Sequence, residues 1–267
     1  MPVCVTGMHR SGTSLVANLL RLSGLYLGEE DELLPPSPDN TEGYWEHREF
    51  VSLNDAILQS LGSAWDLPPA IATDSWPYEE RFNALRVRAE ILLEEFVNRE
   101  PWGWKDPRAC LTLPFWQSLN GIQMPFWTGR GEKLKVVICF RDPLEVFQSL
   151  RDRSFTPNPR GLDLWLTYNQ SVLDSTLPAD RIITHYEAYF RNASSELRRV
   201  LDFVGMKVSS EVIEESTRIV SSSLRHKRSS IASLREANVN QEVINLYVSL
   251  CEEATHSQPL NSYSFTP

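Results

Sequence analysis

The sequence predicts an α/β fold in three layers, with a mainly parallel central sheet covered by helices on both faces. Three observations carry that expectation. Short apolar runs that read as buried strands alternate along the chain with stretches of helical period. The clearest of those runs, "PVCV" and "VVICF", are apolar at successive positions rather than alternately, as in strands buried on both faces. The first strand also passes through a glycine-framed turn directly into a helix, in "VTGMHRSGTSLVANLL", Val5 to Leu20. Sheets of this kind take ligands at the carboxyl ends of their strands.

Residues 2 to 6 read as a short buried strand, and 12 to 23 as a helix with Leu15, Val16, Leu19, Leu20 and Leu22 on its inner face. The acidic, proline-rich run from Gly24 to Thr41 forms elements poorly and is expected as a surface loop. A helix follows from about His47 to Leu61, where Phe50, Leu53, Ile57 and Leu61 share one face. Another loop, 62 to 77, carries Trp65, Trp76 and several prolines. Phe82, Leu85, Ala89, Leu92 and Phe96 then mark a long amphipathic helix. "PWGWKDPRAC" reads as a short strand running into a turn at Pro107, and 133 to 140 as the central buried strand with a helix behind it. "GLDLWLTYNQSVLDS" is expected to be helical, and "RIITHYEAYF" begins as a strand. Residues 194 to 204, 210 to 220 and 240 to 254 complete the helical patterns. Neither an internal repeat nor a linker divides the chain, so residues 1 to 267 are expected to form a single domain.

Composition narrows the function. With 267 residues and 42% hydrophobic content, the chain can bury a substantial core. A formal charge of −9 argues against a general nucleic-acid or anionic-membrane binder, which needs a basic surface field. No run approaches the ~18 apolar residues that span a bilayer, and "MPVCVTGMHR" lacks the apolar segment of a secretion signal, so a cytoplasmic location is expected. Cys4, Cys110, Cys139 and Cys251 show no metal-ligand spacing and read as inert thiols, with neither disulfide nor metal.

Gly7 and Gly12, with four residues between them, have the frame of a phosphate-binding loop. Such a turn presents backbone N–H groups and the positive end of a helix dipole to an anion. Thr13 stands where a nucleoside-triphosphatase carries its lysine, while Arg10 places a cation inside the loop. A second constellation follows the central strand. That strand ends in Arg141 rather than in a magnesium-binding aspartate. If a helix starts at Pro143, Ser149 and Arg153 lie on one of its faces, beside Arg141. Two guanidiniums and a hydroxyl suit a phosphate monoester.

Together the two constellations resemble the sulfotransferases that use 3′-phosphoadenosine 5′-phosphosulfate (PAPS). "GMHRSGTS" resembles their 5′-phosphosulfate loop, with His9, Arg10, Ser11, Gly12, Thr13 and Ser14 as donor-binding positions. Arg141, Ser149 and Arg153 resemble their 3′-phosphate site. "GWKDPR", 103 to 108, is similar to the Lys-Asp-Pro segment of the carbohydrate- and tyrosine-directed branch, and "HYEAY" to a segment after a later strand. The style is that of stand-alone bacterial carbohydrate-type enzymes, and the resemblance covers about residues 3 to 205. It implies a P-loop NTPase-like fold and transfer of a sulfuryl group to an acceptor hydroxyl, leaving adenosine 3′,5′-bisphosphate (PAP), without a metal.

The resemblance also implies roles. Arg10 and Lys105 are expected to face the bridging oxygen, where negative charge grows as the S–O bond breaks. Asp106 is expected to orient Lys105 or cap a following helix. Glu46, in "TEGYWEHREF", is the expected general base, ahead of His47 and Glu42, with His9 a lesser candidate. Tyr186 falls near the nucleotide, and Arg225, Lys227 and Arg228 form the counterpart of a late basic closing loop. His185 is expected to be structural. Trp45, Trp65 and Trp76 offer platforms for sugar rings, or pack a core. The chain lacks the RKGxxGDWKN-type loop of the phenol and steroid enzymes, which argues against a small aromatic acceptor; the family style implies a glycan, with a lipid or secondary-metabolite hydroxyl still open. Two other classes stay open: an ATP- or GTP-dependent kinase, and a non-catalytic nucleotide- or partner-binding domain.

Overall fold

The computed structural model describes residues 2–38, 40–69, 75–119, 133–154, 160–221 and 231–256, with the side chains of residues 153, 154, 255 and 256 outside the description. Four strands, β1 (Pro2–Thr6), β2 (Trp102–Lys105), β3 (Lys135–Phe140) and β4 (Arg181–His185), form a sheet in the order β2-β1-β3-β4. Every pairing is parallel.

Alternate side chains of these strands enter two separate cores, which accounts for the run-on apolar sequence. Cys4, Trp102, Trp104, Val136, Ile138 and Ile183 join one cluster; Val3, Val5, Val137, Cys139 and Ile182 join the other. The first core is closed by α2 (Arg48–Ser60), α3 (Asn83–Phe96), α4 (Ala109–Ser118), α6 (Gly161–Asp174) and α10 (Gln241–His256). Behind β3 runs α5 (Pro143–Ser154), with Val146 and Leu150 turned into the same core. Its centre is aromatic, with Phe50 stacked on Trp104 at 5.1 Å and Trp116 against both. The second core lies beneath α1 (Thr13–Leu22), α7 (Tyr186–Phe203) and α8 (Ser210–Thr217). The α-helices among the described residues are completed by α9 (Ile231–Glu236).

Two features depart from the sequence expectation. The helix α4 is missing from the predicted patterns because it is apolar on all sides, with eight of its ten residues buried and Pro114 inside it. A residue set without an exposed face carries no amphipathic period. The segment expected as a surface loop is partly built in: Leu25, Leu27 and Leu33 are buried, and Tyr26 and Leu33 bridge to Trp102 and His47. Among the described helices, none is long and apolar enough to cross a membrane.

The strand order places the reversal of connection at β1, flanked by β2 on one side and β3 on the other. Crevices at such a reversal, on the carboxyl side of the strands, are where ligands bind. All four strands deliver predicted site residues there. The loop 7–12 follows β1, Lys105 ends β2 in register with Val5, Arg141 follows β3, and Tyr186 follows β4.

Candidate functional site

Two of the loop's glycines are fixed by what lies against them. Gly7 has φ +147°, and a Cβ there would stand 2.0 Å from the Cys139 carbonyl oxygen on β3. Gly12 has φ +90°, and its Cβ would stand 2.2 Å from the Tyr186 ring. Only glycine combines that backbone with that proximity. The Ser11 N–H donates to the Met8 carbonyl at 3.0 Å and closes the turn. Gly12 caps α1 without a side-chain hydrogen bond, and the first turn of α1 holds no acidic residue. Its N–H groups therefore present an uncompensated positive end.

A cavity of about 710 Å³ opens over this turn. Of the residues predicted from the sequence, His9, Arg10, Gly12, Thr13 and Ser14 line it from the loop side, and Glu46, Lys105, Arg141, Ser149 and Tyr186 from the facing elements. Ser11 is fully buried beneath them. Arg10 adopts φ +70°, and its Nε donates to Ser149 Oγ at 2.9 Å, tying the loop to α5. The guanidinium of Arg141 lies 4.6 Å over the Tyr186 ring while its Nε donates to Glu145 at 2.8 Å. Pro143 does open α5, as the spacing required. The backbone of Arg153 lies in α5, but its side chain, and all of Arg225, Lys227 and Arg228, fall outside the described residues.

Facing the loop is a buried ion pair. Lys105 Nζ donates to Glu46 Oε1 at 2.5 Å and to Ser14 Oγ at 3.3 Å. Both side chains of the pair are nearly inaccessible, at 2% and 6%. Burial pushes the Glu46 carboxyl above its ordinary range, and the neighbouring Lys105 charge only partly pulls it back. Trp45, immediately before Glu46, holds the left-handed φ of +57°, with Arg21 stacked 4.2 Å over its ring. Non-glycine residues held there concentrate at functional sites.

Other residues singled out from the sequence take different places. His47 is the N-cap of α2: its Nδ1 accepts the Glu49 N–H at 3.3 Å, and its ring packs edge-on against Phe50 and Phe96. It stands apart from the residues lining the cavity. His185 repeats the device at α7, accepting the Glu187 N–H at 3.0 Å, with Nε2 3.1 Å from the Tyr247 hydroxyl. His9 packs its ring against Trp65 and Tyr168. Trp76 is buried against Phe82 and is core rather than a platform, whereas Trp45 does line the cavity. Asp106 does not hold Lys105. Its Oδ1 accepts from the backbone N–H of Arg108 at 2.8 Å and from the Arg108 guanidinium at 3.0 Å.

Arg108, the last residue of "GWKDPR", joins the site although its sequence context assigns it no role. It lines the cavity and places Nη1 3.7 Å from Glu46 Oε2. Burial works against its charge, yet the carboxylates of Asp106, Asp55 and Glu46 outweigh that and raise its pKa. Tyr44 and Asn40, on the loop before α2, were missed as well. Asn40 Nδ2 donates to Ser14 Oγ at 3.2 Å, which folds this loop over the turn.

Chemically, the site offers a helix N-terminus, a ring of cations and one buried carboxylate facing a common space. Its glycine-walled cradle and donor set fit a phosphate-bearing nucleotide. Two solved structures are similar in fold. The sulfotransferase domain from the curacin biosynthetic pathway aligns with a TM-score of 0.51 at 14% identity, over 94% of this chain and 98% of that one. Sulfotransferase STF9 from Mycobacterium avium aligns with a TM-score of 0.52 at 14% identity, over 94% of this chain and 76% of that one. No protein-family model matches the chain, and no curated sequence does.

Proposed function

The chain has the sulfotransferase fold, and from that premise we propose that it transfers a sulfuryl group from PAPS to an acceptor hydroxyl. The observation that carries this reading is the contact between Lys105 and Glu46 at 2.5 Å, made where the phosphate-type loop opens into the cavity. A cation for the leaving phosphate and a base for the attacking hydroxyl then stand side by side.

When bound, the donor supplies the activated sulfuryl group. The first-turn N–H groups of α1, with Thr13 and Ser14, would hold its 5′ end, and Arg141 and Ser149 its 3′-phosphate. Lys105 and Arg10 would stabilise charge that grows at the leaving oxygen, a stronger interaction in the transition state than in the ground state. Glu46 would take the acceptor proton. Its elevated pKa suits that task better than an ordinary carboxylate's would. Trp45 lines the cavity together with the polar Asn40, Thr41, Glu42 and Tyr44, which favours a glycan hydroxyl as acceptor. Cysteines outside disulfides suit a reducing compartment such as the cytoplasm.

The test pairs turnover with binding. Incubation with PAPS and a panel of glycan acceptors should release PAP and label an acceptor. Glu46→Gln should lower the rate by roughly 10²–10⁴-fold while PAP binding is largely retained, as expected on removal of a general base. A variant that loses binding and turnover together would instead make Glu46 a structural ion-pair partner.

A further inference from the structure

Lys105 has partners on two sides. Besides Glu46, its ammonium donates to Ser14 Oγ at 3.3 Å, in the turn of α1 whose N–H groups would receive an anion. A bound anion therefore competes with Glu46 for this ammonium. Glu46 is 5% exposed, and a carboxylate stripped of its counter-ion in such a setting takes up a proton.

Arg108 is built to prevent that, and its fixation can be traced into the core. Its Nε lies 2.7 Å from Asp55 Oδ1, its Nη1 3.0 Å from Asp106 Oδ1, and the same Nη1 3.7 Å from Glu46 Oε2. Asp106, fully buried, accepts from Asn54 Nδ2 at 2.8 Å. Asn54 is held in turn, since Thr112 Oγ1 at 2.6 Å and Trp116 Nε1 at 2.8 Å both donate to its Oδ1. Every link from Trp116 to Asp106 lies in the core. A lysine on a flexible stem can change partners, whereas a guanidinium clamped by two carboxylates stays where it is.

We propose that Arg108 is a positioning residue, keeping Glu46 charged and in place when Lys105 leaves the carboxylate for an anion bound at the loop. This rests on the nucleotide-binding reading given above. The charged groups facing Glu46 are Lys105 on β2 and both Asp106 and Arg108 in the turn before α4, with Asp55 on α2 behind Arg108. Without Arg108, a Glu46 deserted by Lys105 would face only the like, negative charge of Asp106.

Calorimetric titration with PAP near pH 6, in buffers of different ionisation enthalpy, counts the protons taken up on binding. The wild-type count is the reference, because the PAP phosphates have their own ionisation at about pH 6. Arg108→Lys should match it. Uptake should exceed that reference by about one proton for Arg108→Met and return to it in Arg108→Met/Glu46→Gln. An Arg108→Met protein that binds PAP with the wild-type proton count overturns the proposal alone. A wild type that does not bind PAP overturns the nucleotide reading, and the proposal with it. If Arg108→Met does not fold, Arg108→Gln, which retains a donor toward Asp106, is subject to the same two outcomes.

Discussion

Arg141 shows what a single residue does in this site. Its guanidinium is anchored between Glu145 and the face of Tyr186, at the carboxyl end of β3. A 3′-phosphate would meet a pre-placed charge, so Arg141→Ala should weaken PAP binding by about 2 to 4 kcal/mol, measured calorimetrically. Unchanged affinity would remove the 3′-phosphate assignment. Glu46 carries a pH prediction. Because burial raises its carboxyl and only the ionised form accepts a proton, kcat/KM should climb with pH through a limb above the ordinary glutamate value of about 4.3. A limb at or below that value would mean another group is the base. These residues were legible because motif spacing survives in one dimension: Gly7 and Gly12 frame a turn, and Arg141 ends an unmistakable strand. Arg108 was not legible, because its partners Asp55 and Glu46 are distant in sequence and only folding assembles them.

At the scale of elements, two helices open on a histidine, and this explains a misplaced expectation. Histidine is uncommon among capping residues, yet His47 and His185 both accept the N–H two residues on through Nδ1. Placed next to Glu46 in sequence, His47 resembled a base; in three dimensions it is a cap packed among phenylalanines. His185 gives the measurable consequence. Burial, with help from the Arg191 and Arg141 charges, brings its pKa down to about 3. The unfolded chain therefore binds a proton that the native state refuses between about pH 6.5 and that value, and stability falls as pH drops through this window. Chemical denaturation at pH 7 and pH 5 should show the effect. In His185→Asn, which retains a cap, the loss between these pH values should be smaller than in the wild type by about 2 kcal/mol. An equal loss in both proteins would show that His185 is not held neutral. Amphipathic helices such as α2 and α3 were readable from their period, and α4 was not, since its apolar residues leave no polar face to mark the turn.

Across the whole molecule, the sheet order explains why motifs separated by more than a hundred residues meet. The four parallel strands end at one edge, and each end contributes: the anion turn from β1, Lys105 from β2, Arg141 from β3, Tyr186 from β4. The order of motifs in the sequence was thus enough to place one side of the cavity. The other side, the loop carrying Asn40, Tyr44 and Trp45, had no periodic pattern and is positioned by side chains such as Asn40 on Ser14. With Arg10, Lys105, Arg108 and Arg141 lining one crevice, the site should prefer a multiply phosphorylated ligand over other anions. On the proposed function, this ligand is a 3′,5′-bisphosphate nucleotide held without a lysine-and-magnesium triphosphate site. Calorimetric binding of PAP beside ATP, GTP and AMP, each with and without magnesium, tests it most directly. PAP should bind tightly and with indifference to the metal, and the other nucleotides weakly. Preference for a triphosphate in the presence of magnesium would contradict it and favour a kinase.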